Sequence, residues 1–190
     1  LMEQGTKVVA AARSVDDLNS LKNEWPNHCK IIQCDMKDES AVDALPQLAI
    51  DSFGKIDIVV NNAGIAPAGK FVEQEQQVWD DVFAVNVKAP AVLARSAGQH
   101  FIKQKSGKVI NIASTSGILG KPILVAYSSS KGAVLQFTKA LAAEWAALGI
   151  QVNAIAPGAF ETDAQSAVLE SPDILEKRLR KIPVKRMGDS

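Results

Sequence analysis

Apolar positions follow two different periods along this chain, and the two kinds of segment alternate. Short runs of apolar and β-branched residues are typical of strands buried on both faces. Longer segments carry apolar residues every three or four positions, which is typical of amphipathic helices. The pattern predicts strands at residues 7–12, 29–34, 55–60, 108–113 and 150–156. It predicts helices at residues 15–25, 39–53, 76–103, 126–148 and 174–181.

This alternation of strand and helix predicts the α/β class, with a doubly wound parallel sheet covered by helices on both faces. We expect a single domain over residues 1–190. The carboxyl ends of all strands would lie along one edge of the sheet, where ligands of such sheets bind. Three polar clusters fall at that edge: "NNAG" (Asn61–Gly64), "STSG" (Ser114–Gly117) and "PGAFETD" (Pro157–Asp163).

Composition and charge bound the possible partners. The 190 residues carry 21 acidic and 21 basic side chains, so the formal net charge is zero and gives no reason to expect a nucleic acid or a membrane surface. We see no membrane-spanning run and no signal peptide. Cys29 and Cys34 lack a metal-ligand spacing or a disulfide framework, which favours a reducing, cytoplasmic location. His28 and His100 stand alone, so we expect no metal ion.

The stretch "VAYSSSKGAV" (Val125–Val134) begins a predicted helix and places Tyr127 and Lys131 four residues apart. Residues at this spacing share one face of a helix. An ammonium group beside a phenol favours the phenolate form, which suits a group that gives and takes a proton near neutral pH. By itself the pair is more typical of an ordinary helix start with a surface lysine, so its interpretation depends on the residues around it.

Two further polar residues bear on that interpretation. Ser114 follows the predicted fourth strand and would offer a hydroxyl to a substrate oxygen beside Tyr127. Asn86 lies inside the long predicted helix, four residues before Pro90. Since proline has no N–H, the Asn86 carbonyl loses its helical partner and is free to hold a water molecule. A simple kink of the helix is the alternative.

Four residues together resemble the catalytic tetrad of the classical short-chain dehydrogenase/reductase family: Asn86, Ser114, Tyr127 and Lys131. The supporting motifs, in the family's order, are "NNAG" (Asn61–Gly64), "YSSSK" (Tyr127–Lys131) and "PGAFET" (Pro157–Thr162). The resemblance covers essentially the whole chain. It implies a Rossmann-like fold and an oxidoreductase that transfers a hydride between a nicotinamide cofactor and a secondary alcohol or ketone.

By this resemblance, Tyr127 is the proton donor in ketone reduction and the base in alcohol oxidation. Lys131 would favour the phenolate and hold the nicotinamide ribose, Ser114 would orient the substrate oxygen, and the main chain of Asn86 would hold a relay water. Ser116 is expected beside them as a substrate-binding residue. The small-molecule substrate stays open between a sugar- or polyol-like ketone and a 3-oxoacyl thioester.

Residues at the ends of the predicted strands indicate the cofactor. Arg13 and Ser14 directly follow the first predicted strand, at the place where NAD-preferring members of the family carry an acid. An arginine there would pair with the 2′-phosphate of NADP, so we expect NADP, with NAD as the alternative if Arg13 is merely exposed. The resemblance adds further cofactor-binding residues: Asp35, Met36, Asn62, Ala63, Gly64, Tyr127, Lys131, Pro157, Gly158, Phe160 and Thr162.

The sequence departs from the family pattern at both ends. In a complete family member, a strand and a glycine-rich turn for the cofactor pyrophosphate precede the region that starts here with "LMEQGTKVV". We therefore expect the first strand of the sheet, and a last helix and strand, to be absent from this chain. A catalytically inactive, nucleotide-binding regulatory protein of the same fold is the alternative function. The family also implies a homo-oligomer, either a tetramer or a dimer.

Overall fold

The computed structural model describes residues 1–161 and 169–189, and its contacts divide the chain into two compact units, Leu1–Ile155 and Ala156–Ser190. The strands of the first unit are β1 (Val8–Ala12), β2 (Cys29–Gln33), β3 (Ile58–Asn61), β4 (Gly107–Ile112) and β5 (Ile150–Ile155). Its α-helices are α1 (Val15–Glu24), α2 (Glu39–Phe53), α3 (Gln76–Phe83), α4 (Ala89–Gln104), α5 (Ser116–Leu119) and α6 (Val125–Trp145). Short 3₁₀ turns lie at Met2–Gln4, Phe71–Glu73 and Ala146–Leu148.

All the strand pairs of the first unit are parallel. β1 pairs with β2, with Val8 opposite Cys29. β3, β4 and β5 pair in that order, with Ile58 opposite Lys108 on the next strand. Within residues 1–161 and 169–189 these pairs form two separate sheets, because no described strand joins β1 to β3. The parallel pairing and the strand–helix alternation that the sequence predicts are confirmed, while the single domain over residues 1–190 stays a prediction.

Local signals set the ends of several helices. The Asp38 carboxylate accepts the N–H of Ala41 at 3.1 Å and so caps the start of α2. Gly54 ends the same helix in the left-handed conformation, with φ at 81°. The long helix α6 passes through a 3₁₀ turn and stops at Gly149, where φ is 76°. The stop at Gly149 agrees with the end that the sequence predicts for this helix.

The helix predicted over residues 76–103 is built differently from the expectation. The structure divides it into α3, a π-helical segment (Ala84–Lys88) and α4. In the π-helical segment the Ala89 N–H donates to the Ala84 carbonyl, five residues back rather than four. Pro90, the second residue of α4, has no N–H for the Asn86 carbonyl, which favours the wider turn at this point.

Two apolar clusters hold the helices against the strands. The larger one joins β3, β4 and β5 to α4 and α6, through Val59, Ala94, Ala97, Phe101, Val109, Trp145, Ile150 and Val152. The smaller one joins the end of β2 to α2 and α4, through Cys34, Val42, Leu45, Ala89 and Val92. Burial of such side chains supplies most of the driving force for folding, so the larger cluster anchors the part of the fold that carries α6.

The second unit is described at residues 156–161 and 169–189. It contains α7 (Pro172–Leu179), close to the helix predicted at 174–181. Within it the Gly188 N–H donates to the Ala159 carbonyl at 2.9 Å, which pairs residue 188 with Phe160. Thr162, a predicted cofactor-binding residue, lies outside the described residues. Among the described helices of the chain, none is long and apolar enough to cross a membrane.

Candidate active site

Helix α6 presents Tyr127 and Lys131 on one face, one turn apart. Lys131 is only 5% exposed, and its Nζ donates a hydrogen bond to the Ile112 carbonyl at 2.6 Å. The same Nζ lies 5.7 Å from the centroid of the Tyr127 ring, within the range of a cation–π contact. Burial lowers the pKa of the Lys131 ammonium below its ordinary value. Lys131 is therefore a buried residue, and the alternative interpretation of a surface lysine is excluded.

Asn86 sits inside the π-helical segment and is 1% exposed. Its Oδ1 accepts the N–H of Ile65 at 2.8 Å, and its Nδ2 donates to the Ile65 carbonyl at 2.9 Å. The side chain thus forms a pair of hydrogen bonds, one accepted and one donated, with the backbone of the loop that follows β3. These bonds occupy the side chain, and the role of the Asn86 main-chain carbonyl in holding a relay water stays a prediction.

Gly64 brings the loop after β3 close to the side chains of Asn86 and Lys131. A Cβ atom at this position would lie 3.3 Å from Asn86 Oδ1 and 3.5 Å from Lys131 Nζ. Asn62, Ala63 and Gly64 are all exposed at the carboxyl end of β3. An exposed backbone with small side chains at this edge suits the close approach of a flat ligand, so these residues fit a nicotinamide cofactor.

Ser114 follows β4 and leads into α5. Its hydroxyl oxygen accepts the N–H of Ser116 at 3.1 Å, which leaves the hydroxyl proton for another acceptor, and the role of Ser114 towards a substrate oxygen stays a prediction. Ser116 itself is only 2% exposed, so the structure places its side chain below the surface, and its substrate-binding role stays a prediction. A Cβ atom at Gly117 would lie 2.5 Å from the backbone carbon of Lys131, so α5 packs directly on the turn of α6 that carries the lysine.

A buried polar chain below the site links two strands to α6. The Asn61 amide donates to Asn111 Oδ1 at 2.7 Å, across directly paired positions of β3 and β4. The Asn111 amide donates to Thr138 Oγ1 at 2.9 Å, and the Thr138 hydroxyl donates to the Val134 carbonyl at 2.7 Å. Buried polar groups are costly unless they are paired, so this chain fixes the position of α6 against the sheet.

The predicted cofactor residues of the first two strands gather at the carboxyl edge of β1 and β2. Ser14 caps α1 by accepting the Asp17 N–H at 3.3 Å, and the Arg13 carbonyl accepts the Gln33 side-chain amide at 3.3 Å. Asp35 follows β2 and its carboxylate accepts the Lys37 N–H at 2.9 Å. Arg13, Ser14 and Asp35 are exposed, and Met36 is half-buried. Their backbone is ordered by local bonds while their side chains remain accessible.

The remaining predicted residues belong to the second unit. Pro157 and Gly158 precede the bridge at Phe160, and Gly158 has open space where a Cβ atom would lie. The Phe160 ring lies against Gly188, since a Cβ atom there would come within 2.6 Å of the ring. These contacts give the residues local structure, and their cofactor-binding roles stay predictions.

Sequence reasoning missed two residues of the site. Ser130 accepts a hydrogen bond from Asn86 and donates one to the Tyr127 carbonyl. Gly117 allows the contact between α5 and α6. The signal for Ser130 was present, since residues three apart share a helix face. The signal for Gly117 was only a glycine in "STSG", whose partner lies 14 positions further along the chain.

The fold and the site together define a Rossmann-like α/β protein with a tyrosine–lysine pair at the carboxyl edge of parallel strands. The family model of short chain dehydrogenase matches residues 1–173 of this sequence. The chain belongs to the short-chain dehydrogenase family, which confirms the family and the fold class predicted from the sequence.

Three similar proteins illustrate the family. The chain is 40% identical to 2-dehydro-3-deoxy-D-gluconate 5-dehydrogenase of Dickeya dadantii over 97% of this chain and 72% of the relative. It is 36% identical to the 3-oxoacyl-(acyl-carrier-protein) reductase of Staphylococcus aureus over 83% of this chain and 63% of the relative. The crystal structure of gluconate 5-dehydrogenase from Burkholderia cenocepacia in complex with NADP and tartrate superposes with a TM-score of 0.91 at 30% identity, over 98% of this chain and 74% of that one.

The chain is shorter than its relatives. The matched region spans 57% of the length of one curated relative, an oxidoreductase of Thermotoga maritima, and 78% of another, 2-(R)-hydroxypropyl-CoM dehydrogenase of Xanthobacter autotrophicus.

Proposed function

We propose that this protein is an NADP-preferring oxidoreductase that interconverts a secondary alcohol and a ketone, with Tyr127 as the general acid and base. The observation that carries the proposal is the placement of Lys131. Its buried ammonium group lies against the Tyr127 ring and is held by the Ile112 carbonyl. An ammonium group in this place favours the phenolate that alcohol oxidation needs.

Each residue of the tetrad has a task that its surroundings support. Ketone reduction would draw its hydride from NADPH bound at this site. Tyr127 gives its phenol proton to the carbonyl oxygen, which completes the alcohol. Ser114 holds that oxygen with its hydroxyl proton, while Lys131 stabilises the phenolate left behind. A water on the Asn86 carbonyl would return a proton to Tyr127 by way of Lys131, and alcohol oxidation runs the same steps in reverse.

The cofactor would lie along the carboxyl edge of the strands. Arg13 would pair with the 2′-phosphate of NADP, and Asn62, Ala63 and Gly64 would lie along the centre of the cofactor. The crystal structure of gluconate 5-dehydrogenase from Burkholderia cenocepacia contains NADP, which supports the preference for NADP over NAD. The whole set of residues proposed for the cofactor is Arg13, Ser14, Asp35, Met36, Asn62, Ala63, Gly64, Tyr127, Lys131, Pro157, Gly158, Phe160 and Thr162.

Two substrate classes stay within the proposal. The name of the relative 2-dehydro-3-deoxy-D-gluconate 5-dehydrogenase supports a sugar-like ketone, and the name of the relative 3-oxoacyl-(acyl-carrier-protein) reductase supports a 3-oxoacyl thioester.

We also propose a cytoplasmic homo-oligomer, a dimer or a tetramer. The free, buried Cys29 and Cys34 suit a reducing compartment, and the exposed Ala140 and Ala143 of α6 would permit close contact with a second copy. Light scattering on the purified protein measures the oligomeric state.

Replacement of Tyr127 by phenylalanine tests the reaction. NADPH oxidation by the full-length protein is measured over a panel of sugar ketones and 3-oxoacyl thioesters, beside the Tyr127→Phe variant. We expect the variant to lose about 10³-fold in kcat, because it keeps the ring and lacks the proton. Its affinity for NADPH and its melting temperature should stay close to those of the wild type. Wild-type turnover no faster than that of Tyr127→Phe on every ketone, with NADPH bound, would instead establish a nucleotide-binding regulatory protein.

A further inference from the structure

The three serines of "YSSSK" lie in three different environments. The Ser128 hydroxyl oxygen accepts the N–H of Lys121 at 3.1 Å and so bonds α6 to the loop that precedes it. Ser129 points to the solvent side of the helix and is exposed. Ser130 is fully buried, with 0% exposure, and contacts two residues of the tetrad. The middle of the motif is therefore not a uniform spacer between tyrosine and lysine.

The hydrogen bonds of Ser130 have a direction that the neighbouring atoms fix. Asn86 Oδ1 accepts the Ile65 N–H, so the amide nitrogen of Asn86 must face the Ile65 carbonyl and Ser130. That nitrogen donates to Ser130 Oγ at 3.0 Å. Ser130 then has one proton to give, and it donates it to the Tyr127 carbonyl at 2.7 Å. The chain of donors runs from Asn86 through Ser130 to Tyr127.

This chain joins three separate parts of the fold. It connects the loop after β3, the π-helical segment and the first turns of α6 through side chains that are almost fully buried. The α-helical pattern also gives the Tyr127 carbonyl the N–H of Lys131. One carbonyl oxygen is thus shared by the Ser130 hydroxyl and the backbone of the lysine, which ties the orientation of this helical turn to Asn86.

We propose that Ser130 is a positioning residue, whose hydroxyl locks Asn86 to the turn of α6 that carries Tyr127 and Lys131. The proposal rests on the proposed function, because the alignment it maintains is that of the proton path from Tyr127 through Lys131 to the Asn86 carbonyl. Loss of the hydroxyl would leave the Asn86 amide with one donor unpaired in a buried site and the helix turn untied from the π-helical segment.

The side chain at this position is narrowly constrained by its surroundings. Alanine keeps the helix and removes both hydrogen bonds. Threonine keeps the hydroxyl and adds a methyl group where there is no exposed space. Cysteine keeps the shape of the side chain with a slightly larger sulfur atom and a much weaker donor and acceptor. The three substitutions therefore separate the hydrogen bond from the packing.

The test compares Ser130→Ala with Ser129→Ala in the full-length protein. We expect Ser130→Ala to lower kcat about 3- to 10-fold, the size expected for one net hydrogen bond, with the KM of the best ketone and the NADPH affinity within about twofold. Ser129→Ala should match the wild type in all three. The pH profile of kcat should shift for Ser130→Ala, because loss of the hydroxyl alters the proton path. It should stay in place for Ser129→Ala, and a purely structural role of Ser130 would leave it in place as well.

A double-mutant cycle with Asn86→Ala tests the route of the effect. If Ser130 acts through Asn86, Ser130→Ala will have little further effect on kcat or on the free energy of unfolding once Asn86 is alanine. Fully additive effects, or equal pH profiles for Ser130→Ala and Ser129→Ala, would overturn the proposal. Should the alanine variant not fold, Ser130→Cys replaces it, and kcat of the cysteine variant at the wild-type level counts against the proposal.

A readout that needs no substrate keeps this proposal separate from the proposed function. Tyr127 is the single tyrosine of the chain, so ultraviolet absorbance follows its ionisation directly, with Tyr127→Phe as the blank. We expect the titration curve to move in Ser130→Ala and not in Ser129→Ala. A protein without ketone reductase activity would end the proposed function, while unchanged phenol titration and no coupling to Asn86 in the free energy of unfolding would end this proposal.

Discussion

The two sheets of this protein differ in how they hold their functional side chains. In the three-stranded sheet (β3–β5), Asn61 and Asn111 are buried and bonded to each other, and the buried Lys131 donates to the Ile112 carbonyl at the end of β4. In the two-stranded sheet (β1–β2), no residue of β1 is fully buried, and the polar side chains at the strand ends, such as Arg13, are exposed. The β3–β5 sheet orients its polar side chains by burial, and the β1–β2 sheet leaves the polar side chains at its strand ends accessible.

The difference matches the demands of the two proposed tasks. Proton transfer requires a donor, an acceptor and their neighbours in a fixed geometry, which buried and fully paired hydrogen bonds provide. Recognition of a charged cofactor group relies on a charge that reaches it from an accessible position. Substitutions in the β3–β5 sheet should therefore affect folding and turnover together. Those at the ends of β1 and β2 should affect affinity for one cofactor and leave the stability unchanged.

The largest effect on stability is expected at Asn111. Asn111→Ala removes the centre of the Asn61–Asn111–Thr138 chain and leaves the Asn61 amide without its acceptor in a buried place. We expect the free energy of unfolding to fall by about 2–4 kcal/mol, as measured by urea denaturation. Asn153→Ala, on the exposed side of β5, is the matched control and should change it by less than about 0.5 kcal/mol. Equal losses for both variants would remove the distinction between the two kinds of position.

A smaller effect with a defined pH dependence is expected at Lys131. The unfolded chain keeps the Lys131 proton up to the ordinary pKa of 10.5, whereas burial lowers this pKa in the folded protein. Between the two values the unfolded state binds more protons, so the free energy of unfolding rises with pH. Below the folded pKa the full cost of burying the ammonium group is present.

Lys131→Met removes the ammonium group, and with it the cost of burying this charge and the dependence of that cost on pH. We expect the wild type to gain stability relative to Lys131→Met as the pH rises towards 10.5, by at most about 1.4 kcal/mol per pH unit in that window. Lys139→Met, which removes an exposed ammonium group from the same helix, should follow the wild type. Thermal or urea unfolding over a series of alkaline buffers measures the difference. Parallel curves for the wild type and Lys131→Met would show that burial of this ammonium group does not influence stability.

The smallest effect on stability is expected at Arg13, where the change should appear in cofactor choice. Arg13→Ala removes the charge proposed for the 2′-phosphate, while the bond from Gln33 to the Arg13 carbonyl remains because it uses the backbone. We expect the KM for NADPH to rise about 10-fold and the KM for NADH to stay unchanged, with the free energy of unfolding altered by less than about 0.5 kcal/mol.

Lys30→Ala, an exposed lysine on β2, controls for a general loss of positive charge. It should leave both values of KM as they are. If Arg13→Ala weakens NADPH and NADH to the same extent, Arg13 does not distinguish the two cofactors, and the preference must come from other residues.

The sequence by itself determined the order and type of the elements in this protein. The periods of strands and helices depend on residues that are close in sequence. The same is true of the one-turn spacing between Tyr127 and Lys131 and of the helix end at Gly149. The exception among the longer elements was the helix predicted over residues 76–103. There Pro90 signalled a break, but the local pattern could not distinguish a simple kink from the π-helical segment that the structure contains.

Only the tertiary structure decided which polar residues meet. The bond from Lys131 to the Ile112 carbonyl spans 19 positions, and the bond from Asn61 to Asn111 spans 50. Such pairs depend on strand register and helix packing, which a local pattern does not encode. The same holds for the serines of "YSSSK": they are identical in sequence, and only burial against the π-helical segment separates Ser130 from Ser129.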